Sequence, residues 1–471
     1  MCDDFGVKAP TALIMAAGQG TRMRSALPKV LHEVCGRPMV AWPIAAAREA
    51  GASRVCVIVS PDRDLAAALP DGTETVVQPE SDGTGGALRA AREVIAASET
   101  VLVLSGDHPL ISSEVLGELM RAHAEAGAAA TLLTTELDDP GSYGRVVRDP
   151  EGTFEQVVEA KTAGDATAQQ LESREVNAGT YAFSAASLSG ALAALSNDNA
   201  QREYYLPDVL PLLREQGLVV LAHKVMDASV NLGVNDRVQL ATVNEKARQR
   251  ILQQHMKAGV TIVDPAATWI DAEVELAPDV TLEPGTTLRG RTRVGSGSVV
   301  GPMSTLIDAR LGERVTVPHS YLLECEVGDD ATIGPFAYLR PDARIGERAK
   351  AGSFVEIKNS EIGAGAKVPH LSYIGDAEVG ERTNLGASTV TANFDGVRKS
   401  RTKIGSDVHS GVDTTFVAPV EVGDGAYTGA GSVITDDVPA GALGIARSEQ
   451  ENVEGFAERK TEQSKKKGKG S

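Results

Sequence analysis

A run of small residues followed by cations stands after the first apolar segment of the chain and could bind phosphate. The segment MAAGQGTRMRSALPKVL covers 15–31; its small residues include Ala16, Ala17, Gly18 and Gly20, and its cations are Arg22, Arg24 and Lys29. Because small residues let the backbone approach a ligand, consecutive N–H groups can hold phosphate oxygens there. Neither a Walker A motif nor a GxGxxG fingerprint is present, so the segment predicts a phosphate loop of another kind, or a plain turn.

An aspartate follows a second apolar run in the sequence SGDHPL at 105–110. A carboxylate at the carboxyl end of a strand, beside a phosphate loop, is suited to bind Mg²⁺, and Asp107 is the candidate ligand. The structural alternative is that Asp107 caps the turn that follows.

A histidine with cationic neighbours is the second candidate for chemistry. His370 and Tyr373 lie in PHLSYIGDAEVG, and a cluster of four basic residues follows at 398–403. A histidine flanked by such groups can act as a general base that takes a proton from an amine, which then attacks a thioester. The alternatives are a structural histidine and a solvated charged loop.

The N-terminal half alternates short apolar runs with helical stretches. The runs at 11–17, 54–60, 100–107 and 129–137 predict buried strands, and 37–50, 84–97 and 112–126 predict helices. This alternation predicts an α/β fold with a mostly parallel, Rossmann-like sheet. Ligands of such sheets lie beyond the carboxyl ends of the strands, where the two N-terminal motifs stand.

From about residue 259 an aliphatic residue recurs every six positions, often followed by glycine. Such positions are Leu282, Leu288, Val294, Val300 and Leu306, then Val327, Ile333, Leu339, Ile345 and Ile357, then Ile362, Val368 and Ile374, and finally Ile404, Phe416, Val422 and Ile434. This period is typical of a parallel β-helix of hexapeptide repeats, rather than of a helix or a plain strand. Chance spacing in a glycine-rich chain is the alternative. The rhythm breaks at 391–403, which predicts a loop extruded from the β-helix.

These patterns predict four segments. They are an α/β domain at 1–236, a linker helix at 237–258 with Gly259 as its stop, a β-helix domain at 259–456, and a disordered basic tail at 457–471.

The composition of the chain argues against several classes of protein. The 471 residues carry a net charge of -18, which argues against a nucleic-acid binder with a broad basic face. Four dispersed cysteines (Cys2, Cys35, Cys56, Cys325) form neither a disulfide framework nor a metal pattern and fit a reducing cytoplasm. The sequence predicts no membrane span and no signal peptide, since Asp3 and Asp4 precede the first apolar run.

The string LIMAAGQGTRMRSALPKVLHEVCGRPMV resembles the opening of the sugar-phosphate nucleotidyltransferases, and the second half resembles the hexapeptide acyltransferases. Joined in this order, they resemble the bifunctional bacterial family with N-acetylglucosamine-1-phosphate uridyltransferase and glucosamine-1-phosphate acetyltransferase activities. The resemblance implies the substrates UTP, acetyl-CoA, glucosamine-1-phosphate and N-acetylglucosamine-1-phosphate, and the cofactor Mg²⁺. It also implies a left-handed β-helix, a homotrimer, a place in the cytoplasm and a role in making cell-wall precursors.

The resemblance also implies residue roles. The nucleotide and sugar site would comprise Met15, Ala16, Ala17, Gly18, Arg22, Lys29, Gln78, Gly83, Thr84, Gly144, Glu159, Asn177 and Asn235, with Asp107 and Asn235 on Mg²⁺. His370 would be the acetyl-transfer base, with the acceptor bound by Arg340, Lys358, Tyr373, Asn384 and Lys399. Acetyl-CoA would contact Ala387, Asn393, Phe394, Val412, Ala430 and Arg447. The segment 199–210 would line the sugar pocket.

Several positions depart from that family's usual pattern. They are Ser81, Asp82 and Gly86 in the uracil segment, His108, Arg202, and Phe394 and Val412 near acetyl-CoA. Asp82 places an additional negative charge near the nucleotide. The leading interpretation is a bifunctional enzyme. The alternatives are a single-activity nucleotidyltransferase whose β-helix only mediates assembly, and a non-catalytic trimeric scaffold.

Overall fold

The structure, a computed structural model, describes residues 9–63, 65–141, 143–160, 166–199 and 201–467. Cys2, Asp3, Asp4 and the tail beyond residue 467 lie outside this range. The described chain divides into two compact units: the first runs to Gln254 and includes Ile270–Glu273, and the second comprises His255–Trp269 and continues from Val274. None of the described helices is both long and apolar enough to span a membrane.

A mixed sheet forms the centre of the first unit. Its seven-strand path runs in the order Val220–Val225, Ala130–Glu136, Glu175–Ser184, Thr100–Ser105, Thr11–Met15, Arg54–Val59 and Glu74–Val77. The strand Glu175–Ser184 runs antiparallel to both neighbours, and the other pairs along the path are parallel. The four predicted strands are therefore confirmed, and the α/β fold class with them.

Smaller strands and the helices complete this unit. The hairpin Arg145–Arg148 and Phe154–Val158 joins the sheet through Glu175–Ser184, and Glu33–Val34 pairs with Arg37–Pro38. The α-helices are Ala41–Glu49, Thr84–Ala90, Arg92–Ala96, Ser113–Glu125, Ala168–Leu171, Ala185–Ala194, Val209–Glu215 and Arg237–Lys257. Short 3₁₀ turns occur at Thr21–Met23, Lys29–Leu31, Ala66–Ala68, Leu206–Asp208 and Ala228–Asn231.

Both faces of the sheet are covered, because successive side chains of a strand point to opposite faces. Leu13 is fully buried in one hydrophobic cluster, and its neighbours Ala12 and Ile14 are fully buried in the other. Full burial of such an aliphatic side chain contributes about 1.5–3 kcal/mol. This packing places the carboxyl ends of the strands at one edge, where Met15 pairs with Ser105 in parallel register.

Three parallel sheets of very short strands form the second unit. The first contains Thr261–Ile262, Thr281–Leu282, Val299–Val300, Thr316–Val317, Thr332–Ile333, Lys350–Ser353 and Lys367–His370. The second contains Thr287–Arg289, Thr305–Ile307, Tyr321–Leu323, Tyr338–Leu339, Glu356–Lys358, Tyr373–Gly375, Val390–Ala392, Thr415–Val417 and Val433–Ile434, after Trp269–Ile270. The third contains Glu275–Leu276, Arg293–Val294, Arg310–Leu311, Glu326–Val327, Arg344–Ile345, Glu361–Ile362, Ala377–Val379, Thr402–Ile404 and Val420–Val422. The strands Tyr427–Thr428 and Leu443–Gly444 pair at the end, and a 3₁₀ turn lies at Pro265–Ala267.

The residues that recur every six positions form the core of this β-helix. All the aliphatic and aromatic hexad residues named above are buried, with no side chain more than 4 % exposed. The glycines behind them serve close packing: a Cβ on Gly346 would lie 2.8 Å from the backbone N of Ala364 in the next coil. A parallel β-helix is thus the observed architecture of this half, and it is consistent with the left-handed form that the family resemblance implies.

The predicted break in the repeat is an insertion at one corner. Ile362 pairs with Val379, 17 positions on, but Val379 pairs with Ile404, 25 positions on, before Ile404 pairs with Val422. Most residues from Phe394 to Arg401 are exposed, as an extruded loop requires.

The C-terminal segment differs from the sequence prediction. A helix covers Phe456–Lys467, where the sequence predicts a disordered tail. Its Ala, Glu, Arg, Lys and Gln residues have high helix propensity, and that preference outweighs the lack of an apolar face. The ammonium of Lys460 also lies 5.8 Å from the centre of the Phe456 ring.

Candidate active sites

A cavity of about 590 Å³ opens at the edge of the first unit's sheet, where the strand ends meet. Most of the predicted nucleotide and sugar residues line it. They are Met15, Ala16, Ala17, Gly18, Lys29, Gln78, Gly83, Thr84, Asp107, Glu159 and Asn177. The phosphate-loop residues and the aspartate that follows a neighbouring strand therefore share one cavity.

The Lys29 ammonium in this cavity contacts side-chain oxygens of Asp107 and Asn235. Lys29 Nζ donates a hydrogen bond to Asp107 Oδ2 and lies 3.4 Å from Asn235 Oδ1. Asp107 Oδ1 is 3.0 Å from the Nδ1 atom of His108. Burial alone would raise the pKa of Asp107, but His108 and Lys29 outweigh it and leave that pKa well below its usual range. Asp107 is therefore a carboxylate throughout the physiological range.

Three predicted residues, Arg22, Gly144 and Asn235, lie outside the cavity lining. Arg22 is exposed on the turn Thr21–Met23, and Arg24 is exposed just after it. Gly144 lies behind the wall, where its carbonyl accepts a hydrogen bond from the backbone N–H of Asn177 at 3.0 Å. Of the three cations in the phosphate loop, Lys29 is the one that lines the cavity.

The opposite wall is held by an asparagine and a tyrosine. Asn177 Nδ2 donates to the Tyr181 hydroxyl at 2.7 Å, and Asn177 Oδ1 accepts from the Gly179 N–H at 2.8 Å. Burial raises the pKa of Tyr181 well above its usual value, so its hydroxyl stays neutral. Both side chains of this pair are thereby fixed at the cavity surface.

The cavity also includes residues to which the sequence reasoning gave no role. They are Gln19, Val30, Ala87, Ser105, Gly179 and Tyr181, whereas Ser81, which also lines the cavity, was noted as a departure in the uracil segment. Ser105 could have been found from its place in the motif SGDHPL, two positions before Asp107, whereas the others carry no separate sequence signal. The segment 199–210 contributes Glu203, Tyr205, Leu206 and Pro207 to the lining.

In the β-helix, a buried aspartate joins several predicted acceptor and acetyl-CoA residues. Asp376 is 5 % exposed, and its carboxylate accepts hydrogen bonds from the side chains of Asn359 and Asn393. Lys358 Nζ lies 4.0 Å from the same carboxylate. Burial alone would raise the pKa of Asp376, but the two amides and the charges of Lys358 and Lys399 lower it.

Asp376 was missed as a site residue, although a spacing signal was present in the sequence. Asn359, Asp376 and Asn393 are each 17 positions apart, which is one coil of the β-helix at this point. Residues one coil apart stack on the same face, so this spacing could have predicted the cluster.

His370 is exposed at the end of the strand Lys367–His370, in register with Ser353. Its imidazole forms no hydrogen bond within the described chain, so both ring nitrogens are open to a ligand. Tyr373 begins the next strand, beyond the corner at Leu371, whose φ is +51°. The histidine is therefore accessible for proton transfer.

The remaining predicted residues of this half were expected to bind either the acetyl acceptor or acetyl-CoA. Arg340 forms a salt bridge with Glu356 at 2.7 Å, and Asn384 pairs with Lys367 of the strand that carries His370. Lys399 pairs with Phe394 across the extruded loop, and both are exposed. The others were predicted for acetyl-CoA; no hydrogen bond or ion pair joins them to His370 among the described residues. They are Ala387, Val412, Ala430 and Arg447, the last of which donates to the Ala430 carbonyl at 2.8 Å.

Comparison with known proteins supplies the context for both sites. Residues 12–208 match the family model described as MobA-like NTP transferase domain. A relative named Bifunctional protein GlmU from Kineococcus radiotolerans is 51 % identical over 450 residues, covering 94 % of this chain and 91 % of the relative. Relatives of the same name from Streptomyces avermitilis and Mycobacterium tuberculosis are 46 % and 45 % identical, over 96 % and 95 % of this chain and 95 % and 92 % of their own.

Proposed function

This chain belongs to the family of the bifunctional GlmU proteins, and on that premise we propose that it catalyses two steps of UDP-N-acetylglucosamine synthesis. In the first, acetyl-CoA acetylates the amine of glucosamine-1-phosphate. In the second, the resulting N-acetylglucosamine-1-phosphate takes a uridylyl group from UTP and pyrophosphate leaves. The product feeds cell-wall precursors. The observation that carries the uridylyl assignment is that Lys29 and Asp107 line one cavity and that Asn235 directs its side-chain oxygen to the Lys29 ammonium.

We assign uridylyl transfer to residues 1–236. A phosphate oxygen of the sugar phosphate attacks the α-phosphorus of UTP, and the bond to pyrophosphate breaks in line. Because two anions must meet, the site has to supply positive charge and alignment. Lys29 provides that charge beside Ala17 and Gly18, whose N–H groups can hold phosphate oxygens, whereas the Ala16 N–H donates to the Ile58 carbonyl.

The oxygen atoms at this point suit a magnesium ion. Asp107 and Asn235 both direct an oxygen toward the Lys29 ammonium, so the two oxygens face one cationic position. One carboxylate and one amide oxygen, completed by phosphates and water, match the ligands that Mg²⁺ prefers. When bound, Mg²⁺ neutralises charge on the triphosphate and on the departing pyrophosphate.

The rest of the cavity fits the base and the sugar. We place uracil beside Gln78, Gly83 and Thr84, and the N-acetylglucosamine moiety beside Glu159 and Asn177, with Gly144 supporting that wall. Arg22 is exposed at the mouth of the loop and would reach the triphosphate on binding.

We assign acetyl transfer to residues 259–456. His370 takes a proton from the amine of glucosamine-1-phosphate as the nitrogen attacks the thioester carbon, and the carbon–sulfur bond breaks to release coenzyme A. Lys358, Arg340 and Lys399 supply positive charge for the sugar phosphate, with Tyr373 and Asn384 beside them. Ala387, Asn393, Phe394, Val412, Ala430 and Arg447 would contact acetyl-CoA.

Mass analysis of the products tests the proposal. The protein is given glucosamine-1-phosphate, acetyl-CoA, UTP and Mg²⁺, and each donor is omitted in turn. UDP-N-acetylglucosamine should form only in the complete mixture, and N-acetylglucosamine-1-phosphate should accumulate without UTP. Uridylyl transfer to supplied N-acetylglucosamine-1-phosphate with no release of coenzyme A in any mixture would favour the single-activity alternative.

The β-helix presents an apolar ridge that supports a homotrimer. The ridge consists of Met303, Phe336, Phe354 and Leu371, which are each more than half exposed. They occupy one corner of the β-helix, with His319 in the coil between Met303 and Phe336. The Phe336 and Phe354 rings stack with their centres 5.3 Å apart, and Leu371 adjoins His370. Exposed apolar patches of this kind mark interaction surfaces. We therefore place the contact between subunits here, next to the acetyl-transfer base.

We expect Phe354→Asp to dissociate the trimer. A carboxylate on the ridge would be desolvated on assembly and unpaired, while the folded monomer would tolerate it because Phe354 is 59 % exposed. Light scattering should show trimer in the wild type and monomer in the variant. Met226→Asp, at an exposed methionine in the first unit, should leave the mass unchanged. An unchanged trimer in Phe354→Asp would contradict the assignment of the ridge.

Asp376→Asn should weaken acetyl transfer by roughly tenfold, mainly as a higher KM for glucosamine-1-phosphate. The substitution removes the charge that faces Lys358 and sets an amide against the amide donors of Asn359 and Asn393, which costs about 1–3 kcal/mol. Steady-state kinetics of both half-reactions measure the effect. Asp342→Asn, at an exposed β-helix aspartate of similar φ, is the matched control and should change the kinetics of neither half-reaction.

We propose the cytoplasm as the compartment. Cys35, Cys56 and Cys325 are buried free thiols, which favours a reducing environment. Burial raises the pKa of Cys35 and of Cys325 to about 12, so neither is a reactive thiolate.

A further inference from the structure

One amide in the wall of the first cavity has both of its donors engaged on the protein side. Gln78 is 5 % exposed, and its Nε2 donates to Asp82 Oδ1 at 2.8 Å and to the Gly83 carbonyl at 3.1 Å. Its Oε1 accepts no hydrogen bond from the described residues. An amide nitrogen carries two hydrogens, so Gln78 has only its oxygen left for a ligand.

The chemistry of the two partners fixes this orientation. A carboxylate and a backbone carbonyl only accept hydrogen bonds. Rotating the Gln78 amide by half a turn would set its oxygen against two acceptors and leave its NH₂ group without either partner. The penalty for such a buried mismatch is large compared with the gain of one ordinary hydrogen bond. Asp82 and Gly83 therefore determine which end of the amide faces the cavity.

Asp82 can occupy this position because residue 86 has no side chain. A Cβ on Gly86 would overlap the Asp82 carboxylate, whereas the backbone of Gly86 is in a region open to any residue. The Asp82 backbone is itself held: its N–H donates to the Glu80 carbonyl at 3.0 Å, and its carbonyl accepts from the Tyr204 N–H at 2.7 Å. Asp82 and Gly86 are thus a sterically coupled pair, and both are departures noted in the sequence.

We propose that Asp82 is a positioning residue that sets the base specificity of the cavity through Gln78. Held by Asp82, Gln78 presents a single hydrogen-bond acceptor, and the cavity selects a nucleotide whose base offers a ring N–H donor. This inference rests on the proposed function, which places the base beside Gln78. It also gives Asp82 a role other than contact with the nucleotide, since Asp82 itself does not line the cavity.

The expected selectivity is for uracil over cytosine. The N3 position of uracil carries a hydrogen and donates to the Gln78 oxygen. The N3 position of cytosine carries a lone pair, which faces that oxygen as a second acceptor. A site whose polar group is left unpaired by an analogue discriminates against that analogue. An amide free to rotate would accommodate either base by offering its oxygen to one and its NH₂ group to the other.

The test measures the ratio of UTP to CTP binding and of kcat/KM for the two nucleotides with the full-length protein. Asp82→Ala removes the carboxylate, and Gly86→Ala displaces it while Asp82 remains in the sequence. Glu80→Ala, an exposed acid two positions away, is the matched control for loss of one negative charge. The double variant Asp82→Ala/Gly86→Ala completes the series.

In the wild type and in Glu80→Ala, we expect a clear preference for UTP. Both single variants should lower the UTP/CTP ratio by roughly tenfold, the effect of about one hydrogen bond. The UTP/CTP ratio of the double variant should fall no further than that of either single variant, because both substitutions remove the same contact. A general loss of structure would weaken UTP and CTP alike and leave their ratio unchanged.

Two outcomes would overturn the assignment in different ways. A preference for UTP that survives unchanged in both single variants would show that Asp82 does not set the specificity, with the proposed function intact. A wild-type protein that binds neither nucleotide would overturn the proposed function and this inference together.

Discussion

Asp107→Asn should abolish most uridylyl transfer, with a loss on the order of 10²–10³ in kcat, and leave acetyl transfer at the wild-type rate. The substitution keeps the shape of the side chain but removes the charge that meets Lys29 and that would bind Mg²⁺. The neutral amide that it introduces would face a cation whose charge it cannot neutralise. The loss is therefore one of charge stabilisation, and we expect it to appear in kcat more than in the KM for the sugar phosphate.

Pyrophosphate release and coenzyme A release, measured on the same preparation, separate the two activities. Asp62→Asn is the matched control, because Asp62 is an exposed aspartate of the same unit. If Asp107→Asn transferred uridylyl groups at the wild-type rate, the phosphate chemistry would have to be placed elsewhere in the first unit.

His370→Ala should produce the converse phenotype, with acetyl transfer reduced on the order of 10²–10⁴-fold and uridylyl transfer unchanged. The side chain is exposed and forms no hydrogen bond within the described chain, so its removal leaves no buried polar group unpaired. Stability should consequently be close to that of the wild type, and the loss should be chemical.

Added imidazole offers a direct check of that explanation. A small base that enters the space left in His370→Ala should restore part of the acetyl-transfer rate, and chloride of the same ionic strength should not. Full acetyl transfer by His370→Ala without any added base would show that another group takes the proton.

The repeat of the β-helix was predictable because its period is a direct record of burial. Leu288 and Leu306 belong to stacked strands of one sheet, and both are fully buried. The strands of the first unit were predictable for the same reason, since a run such as TVLVLS is buried on both faces. In both cases the hydrophobic pattern is local, because each apolar residue indicates that its own position is buried.

The composition of the sites was less predictable, because their members are far apart in sequence. Asn235 lies 128 positions after Asp107, and only the family resemblance brought the two together before the structure did. Tyr181 has no signal of its own, since its role depends on the hydrogen bond from Asn177. Asp82 was expected to bring charge to the nucleotide, but its carboxylate faces the Gln78 amide.

The loop between Asn393 and Arg401 has a consequence for how this half of the molecule can change. Pairing resumes in register on both sides of it, so the added length is confined to one corner and no coil is distorted. Lengthening a surface loop costs little free energy, because closure entropy grows slowly with length. Natural variants can therefore change the length or the charge of this corner without a matching change in the interior.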